Sequence, residues 1–200
     1  MGKKMTSTGT GRWRRRGGLA LIVAIGVSIG MAPGTASAYN SYTGAAYVKD
    51  SWSTSSAEGV VNLNTNDQSG ATCLWQAILW ADGAWIADKG RRFYQSDIDG
   101  IFGWDSHQAT RSWQNRHGLS VDGSAGKYSW ARAERQLTYW SGGGDTARTY
   151  YRGKKPNGAD TGRGFWLTRD SQGRWSFDEP GTGRNIYASY ETSTKKSRCL

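Results

Sequence analysis

Residues 99–106 read DGIFGWDS and residues 122–129 read DGSAGKYS, so both fit D-G-x-x-G-x-x-S at an offset of 23 residues. Each copy poses the same local chemistry. The leading Asp carboxylate can accept backbone N–H groups within a tight bend. The adjoining Gly permits a positive φ or a close backbone approach. The Ser at the eighth position is expected to cap the next helix by accepting an orphan N–H. Downstream of each Ser the apolar spacing is helical. Ala109, Thr110, Trp113 and His117 share a face before Gly118. Trp130, Ala133, Leu137 and Trp140 recur at intervals of 3, 4 and 3 before Gly142-Gly143-Gly144. Upstream, Leu74, Trp75, Ala77, Ile78, Leu79 and Ala81 ahead of Gly83 spell a further helix. Three short helices joined through two Asp-Gly bends are expected over 71–140, with Trp75, Trp113 and Trp130 meeting in the core. Residues 84–98 form a longer connection with a helical turn.

Residues 141–200 have a different texture. Short aromatic and β-branched runs (148–151, 165–168, 174–177 and 185–188) alternate with turn-forming stretches at 155–158, 170–173 and 179–183. Three or four antiparallel strands are expected, too few to stand alone and therefore laid against the helices. Residues 39–70, rich in Ser, Thr, Asn, Gly and Tyr without a period, read as a flexible or loosely packed arm. The fold class is α+β: a small three-helix unit joined to a short antiparallel β-meander.

The chain has 200 residues, with Lys+Arg 26 against Asp+Glu 16. Much of that excess lies at the start. Lys3, Lys4, Arg12, Arg14, Arg15 and Arg16 precede an apolar stretch at 19–31, Pro33 and Ala36-Ser37-Ala38. This is the pattern of a secretory signal peptide over 1–38, with a core too short to span a bilayer. The triple arginine admits twin-arginine export, but Gly18 stands where a bulky apolar residue is usual, which favours the general secretory route. Residues 39–200 then carry 20 basic and 16 acidic residues, net +4, of which eleven basic and six acidic fall in 141–200. No Lys/Arg stripe of a nucleic-acid binder is present. After cleavage no membrane contact is expected, and the protein is expected to be a monomer. Cys73 and Cys199 are the two cysteines, and in an exported chain a disulfide between them is the expectation.

The central segment resembles the peptidoglycan-binding-like family, a three-helix cell-wall attachment module of exported bacterial proteins. The resemblance is carried by Asp99-Gly100-Ile101-Phe102-Gly103, Ser106, Ala109, Trp113-Gln114, His117-Gly118-Leu119, Val121-Asp122-Gly123, Gly126 and Ser129-Trp130. Trp75-Gln76 with Leu79 and Gly83 is similar to the family's first helix. The chain departs from the family pattern at Trp75, at Thr110, and in the longer stretch between Gly83 and Asp99. The resemblance implies a secreted, non-catalytic protein that binds peptidoglycan or another cell-wall polymer, in an extracellular or wall-associated location. Phe102, Trp113 and Trp130 are expected in the core, and most motif residues are expected to build the fold. The candidate wall-contact residues are Trp104, Asp105, Gln114, Asn115, Arg116 and Tyr128, whose aromatic faces and polar groups suit sugar rings and peptide stems. Gln114 is open between that role and a buried partner of a bend.

No catalytic residues, cofactor or metal site are expected. Asp97, Asp99 and Asp105 do not fit an EF-hand loop, because Gln95 and Ser106 would take its end positions. His107 and His117, ten residues apart, are not expected to share a metal. Glu58 and Glu134 stand without a surrounding motif, and no G-x-S-x-G elbow occurs. Two alternatives remain: a small wall hydrolase with its site in 141–200, and an extracellular interaction or inhibitor module.

Overall fold

The computed structural model describes residues 46–53, 59–141, 147–191 and 199. The expected signal segment 1–38 and the glycine run at 142–144 lie outside the described residues. The architecture is α+β, and its centre is one helix. α1, Gly70–Asp82, buries all of its residues but Trp80. Between residues 70 and 81 it carries no charged side chain, so it has no face to offer to water and must be covered on more than one side. Ser69 caps its start by accepting Thr72 N–H at 3.1 Å, and Gly83 ends it at φ 60.

Two helices cover one side: α2, Trp104–Arg116, and α3, Lys127–Glu134. Trp75 meets Trp113 and Trp130 edge-on, with ring centroids 5.0 and 5.1 Å away, and donates its indole N–H to Thr110 at 2.9 Å. Between α1 and α2 the chain makes a short antiparallel hairpin, β1 (Trp85–Ile86) and β2 (Arg91–Arg92). A five-stranded antiparallel meander covers another side of α1, in the order β3 (Leu137–Ser141), β4 (Ala147–Lys154), β5 (Asp160–Arg169), β6 (Trp175–Asp178), β7 (Asn185–Tyr187). Burial alternates along β4, and Tyr151, Phe165, Leu167 and Phe177 fill the inner layer of the meander.

The two ends of α1 are tied to the sheet. At its start, Ala71 N–H donates to Ser189 O at 2.8 Å, just past β7. At its end, a Cβ on Gly153 would sit 2.1 Å from Ala81 O, so only glycine admits β4 there. The last carbonyls of the helix are taken by side chains from elsewhere: Trp80 O by Arg163, Ala81 O by Thr161 and Asp82 O by Arg116, at 3.0, 2.7 and 2.8 Å. The fully buried Asp82 carboxylate accepts from Trp113 (2.6 Å), Gln136 (3.0 Å), Tyr151 (3.0 Å) and the Lys154 N–H (2.8 Å), with Arg116 3.5 Å away. One carboxylate therefore joins α2, the sheet and α1, and its hydrogen bonds compensate for its lost hydration.

The described part of the expected arm is not loose. Val48, Trp52, Val60 and Val61 are buried, and Val48 pairs with Ala188 and Trp175 through backbone bonds of 2.8 and 3.0 Å. Trp52 sits edge-on to Trp130 and Trp175 at 5.7 and 6.0 Å, while its backbone N–H donates to Glu134 at 3.0 Å. A few apolar anchors at irregular intervals leave no period in a sequence, which is why the segment reads as unstructured. Cys73 and Cys199 form the expected disulfide, across 126 residues.

Three local expectations are corrected. Ser106 and Ser129 are not N-caps: Gly103 and Gly126 hold those positions, and the helices begin two residues before each Ser. α3 stops at Glu134, and Leu137, expected on its apolar face, opens β3 opposite Tyr151. The run Leu-Thr-Tyr-Trp suits a strand as well as a helix, and pairing with β4 decides between them. The connection at 84–98 holds the β1–β2 hairpin as well as the expected single turn, a 3-10 helix at Gln95–Asp97.

Candidate functional site

The two bends are wired alike, each around a buried glutamine. Gln76 of α1 accepts Gly100 N–H at 2.7 Å and donates to Asp99, Ile101 O and Ser106 at 2.8, 3.0 and 3.0 Å. Gln114 of α2 accepts Gly123 N–H at 2.9 Å and donates to Asp122, Ser124 O and Ser129 at 2.7, 2.9 and 3.3 Å. In each bend the Asp also accepts the N–H two residues on, at 2.9 Å. Gly100 and Gly123 both hold φ 74, a conformation that the bend imposes and a Cβ opposes. The Ser of each motif serves its glutamine.

This wiring sorts the six candidate contact residues. Gln114 is 2 % exposed and its amide is engaged on both sides, so it builds the second bend and presents nothing to a ligand. Arg116 is turned inward onto Asp82, where burial lowers the guanidinium pKa against the pull of that carboxylate. Asn115 lies at the surface. Asp105 is partly exposed and ion-paired with Lys89. Trp104 and Tyr128 are 56 % and 66 % exposed.

Trp104, the first residue of α2, is held in place. Its indole N–H donates to Asp88 at 2.7 Å, and its ring stacks on His107 at 5.0 Å and 21°. His107 lies in turn against the second bend, where a Cβ on Gly123 would meet its ring. Burial lowers the His107 pKa, which favours the neutral ring beside Trp104. The two bends are thus linked at the surface through one indole and one imidazole. Asp88, Lys89 and the supporting role of His107 escape sequence reasoning. The hairpin that joins the first two to the site has strands of two residues each, too short to show a period.

A shallow polar cleft of about 270 Å³ lies over the β5–β6 turn, lined by Asp50, Arg169, Ser171, Gln172 and Gly173. It brings one carboxylate and no imidazole to its lining. Among the described residues no group of three or more His, Cys, Asp or Glu could hold a metal ion. His117 stands 3.9 Å from Asp82, beyond hydrogen-bond distance, and burial lowers its pKa more than that carboxylate raises it.

Comparison with known proteins finds short, local likeness. The chain is 38% identical over 47 residues to a spore cortex-lytic enzyme of Halalkalibacterium halodurans, covering 24% of this chain and 14% of the enzyme. It is 47% identical over 38 residues to a spore cortex-lytic enzyme of Bacillus cereus, covering 19% of this chain and 15% of that protein. The chain thus spans about one seventh of the length of the curated relatives it matches. No solved structure matches it. The segment that builds the two bends is also the one with a family assignment: residues 89–132 match the putative peptidoglycan binding domain.

Proposed function

We propose that this chain is an exported, non-catalytic protein that binds the peptidoglycan of the cell wall through the surface around its two Asp-Gly bends, and that it acts as a monomer outside the cell. The observation that carries the reading is the family match at 89–132, which coincides with the bends and with the exposed Trp104 and Tyr128. Three helices around a shared tryptophan core form the binding module in this reading. The likeness to cortex-lytic enzymes falls on a small part of those enzymes, consistent with a shared attachment segment. The buried titratable groups Asp82, Arg116 and Tyr151 are spent on joining helices to sheet. The +4 balance of residues 39–200 adds a weak, salt-screened attraction to anionic wall polymers.

The test is co-sedimentation of the purified full chain with sacculi at low and high salt, with the supernatant analysed for muropeptides. Protein in the pellet, modestly reduced by salt, with no soluble muropeptides, is the expected result. Protein left in the supernatant at low salt refutes wall binding. Released muropeptides refute the non-catalytic reading and favour a hydrolase.

A further inference from the structure

The stretch between Gly83 and Asp99, longer than the family pattern, folds into a hairpin laid along α2. Its contacts track the helix in order. Trp85 N–H donates to Ser112 Oγ at 2.8 Å, Asp88 N–H to Gln108 Oε1 at 2.9 Å, and Lys89 pairs with Asp105. Hairpin and helix together make a ledge that exposes two indoles, Trp104 and the 47 %-exposed Trp85.

The chemistry of the ledge is selective. Asp88 Oδ2 takes the Trp104 N–H and also the Gln108 amide, and His107 stacks on the ring. With its N–H engaged, Trp104 offers a flat apolar face at a fixed angle and no free donor. Its orientation is set before any ligand arrives, which lowers the ordering cost of binding. Among the described residues, no hydrogen bond or ring contact holds Tyr128 in the same way. Lys89 is paired with Asp105, and Arg91 with Asp97 through bonds of 2.6 and 2.9 Å, while Asp88 gives its Oδ2 to two neutral donors, the Trp104 indole and the Gln108 amide. A rigid aromatic plane whose N–H is already engaged fits a neutral, hydroxyl-rich ring that turns its C–H face to the indole. A peptide stem offers no ring face to lay on the indole.

We propose that this ledge is a saccharide site for the amino-sugar glycan strand of the wall, with Trp104 as its stacking platform and Asp88 as the residue that positions the ring. The inference rests on the wall-binding reading and deepens it by naming the part of the polymer that is recognised.

Three probes separate the two claims: intact sacculi, glycan strands freed of their stems by an amidase, and free stem peptide. The full chain is expected to bind sacculi and stem-free strands, and to bind stem peptide far more weakly. Trp104→Ala is expected to lose about tenfold in affinity for the strands at unchanged melting temperature. Asp88→Ala is expected to lose about fivefold, while Asp88→Asn, which keeps an acceptor for the indole, stays within about twofold of the parent. Trp104→Phe reports independently if the alanine variant fails to fold, and is expected to retain part of the affinity. Strands bound no better than stem peptide, or folded Trp104 and Asp88 variants that bind strands like the parent, overturn the ledge while sacculus binding still stands. Sacculi that retain no protein overturn the wall-binding reading itself.

Discussion

The two Asp-Gly bends share a sequence pattern and a hydrogen-bonding plan, yet they sit in different surroundings. The first is wired to Gln76 on the central helix, one turn beyond the disulfide at Cys73. The second is wired to the equally buried Gln114 on α2, its Asp122 exposed where Asp99 is half-buried, and is flanked by the paired backbones of Val61 and Ala125 at 3.2 and 3.0 Å. Equivalent positions diverge in fate. Trp104 is an exposed platform where Lys127 stands in the second copy, and His107 lies against the other bend where Trp130 is buried in the core. The repeat therefore specifies a local device, a carboxylate and glutamine closing a glycine bend, while the residues between its fixed points decide whether it faces core or solvent.

Removing the covalent brace should affect the comparison most. Replacing Cys73 and Cys199 by alanine is expected to cost about 4–5 kcal/mol in urea unfolding, from the freedom restored to a long loop in the unfolded chain. Next come the glutamines. Gln76→Ala is expected to cost about 3 kcal/mol and Gln114→Ala about 2 kcal/mol, because each leaves a buried glycine N–H and a carboxylate without their partner. Equal losses would show that depth of burial does not separate the two bends. The glycines invert the order. Gly100→Ala is expected to cost about 1 kcal/mol for its left-handed backbone, and Gly123→Ala about 2 kcal/mol because the new methyl also displaces His107. Equal melting temperatures for these two variants would deny that His107 leans on the second bend.

The smallest effect is that of pH. His107 and His117 are both held below the usual imidazole pKa, first by burial. The unfolded chain then binds protons more readily than the folded one as pH falls through about 6.5, so stability declines from neutral pH towards pH 5. Asp97, Asp160 and Asp170, whose pKa values are lowered, lose their contribution only in more acid solution. For Asp97 and Asp170 burial is the largest single influence and acts upward, but the hydrogen bonds together outweigh it. For Asp160 the bonds from Lys154 and Arg152 lead. His117→Gln should flatten the decline in melting temperature between pH 7 and pH 5, and an unchanged slope would assign it to other groups.

Much of the architecture was legible in the residues. The apolar spacing in 71–81 marked α1 and its Gly83 stop, the paired bends marked the starts of α2 and α3, and the aromatic runs marked four strands of the meander. The disulfide was implied by the cysteine count and the expectation of export. The hidden features depended on distant partners. Leu137 fits a helical face until β4 is placed beside it, and Trp52 has no local companion to reveal its place in the core. The platform at Trp104 was legible as an exposed aromatic. Its support was not, because Asp88 and His107 acquire their roles only when the hairpin folds onto α2.

The position of Asp82 limits how this protein can be taken apart. Its carboxylate is saturated by groups from α2, from the sheet and from Gln136 between them, and a fragment cut after α3 would strip away Tyr151, Gln136 and the Lys154 amide together. Such a fragment would carry a desolvated negative charge and a bare apolar flank on α1, so the helices are not a portable tag that can be fused to another protein without the sheet. The helices and the sheet are expected to melt as one cooperative unit.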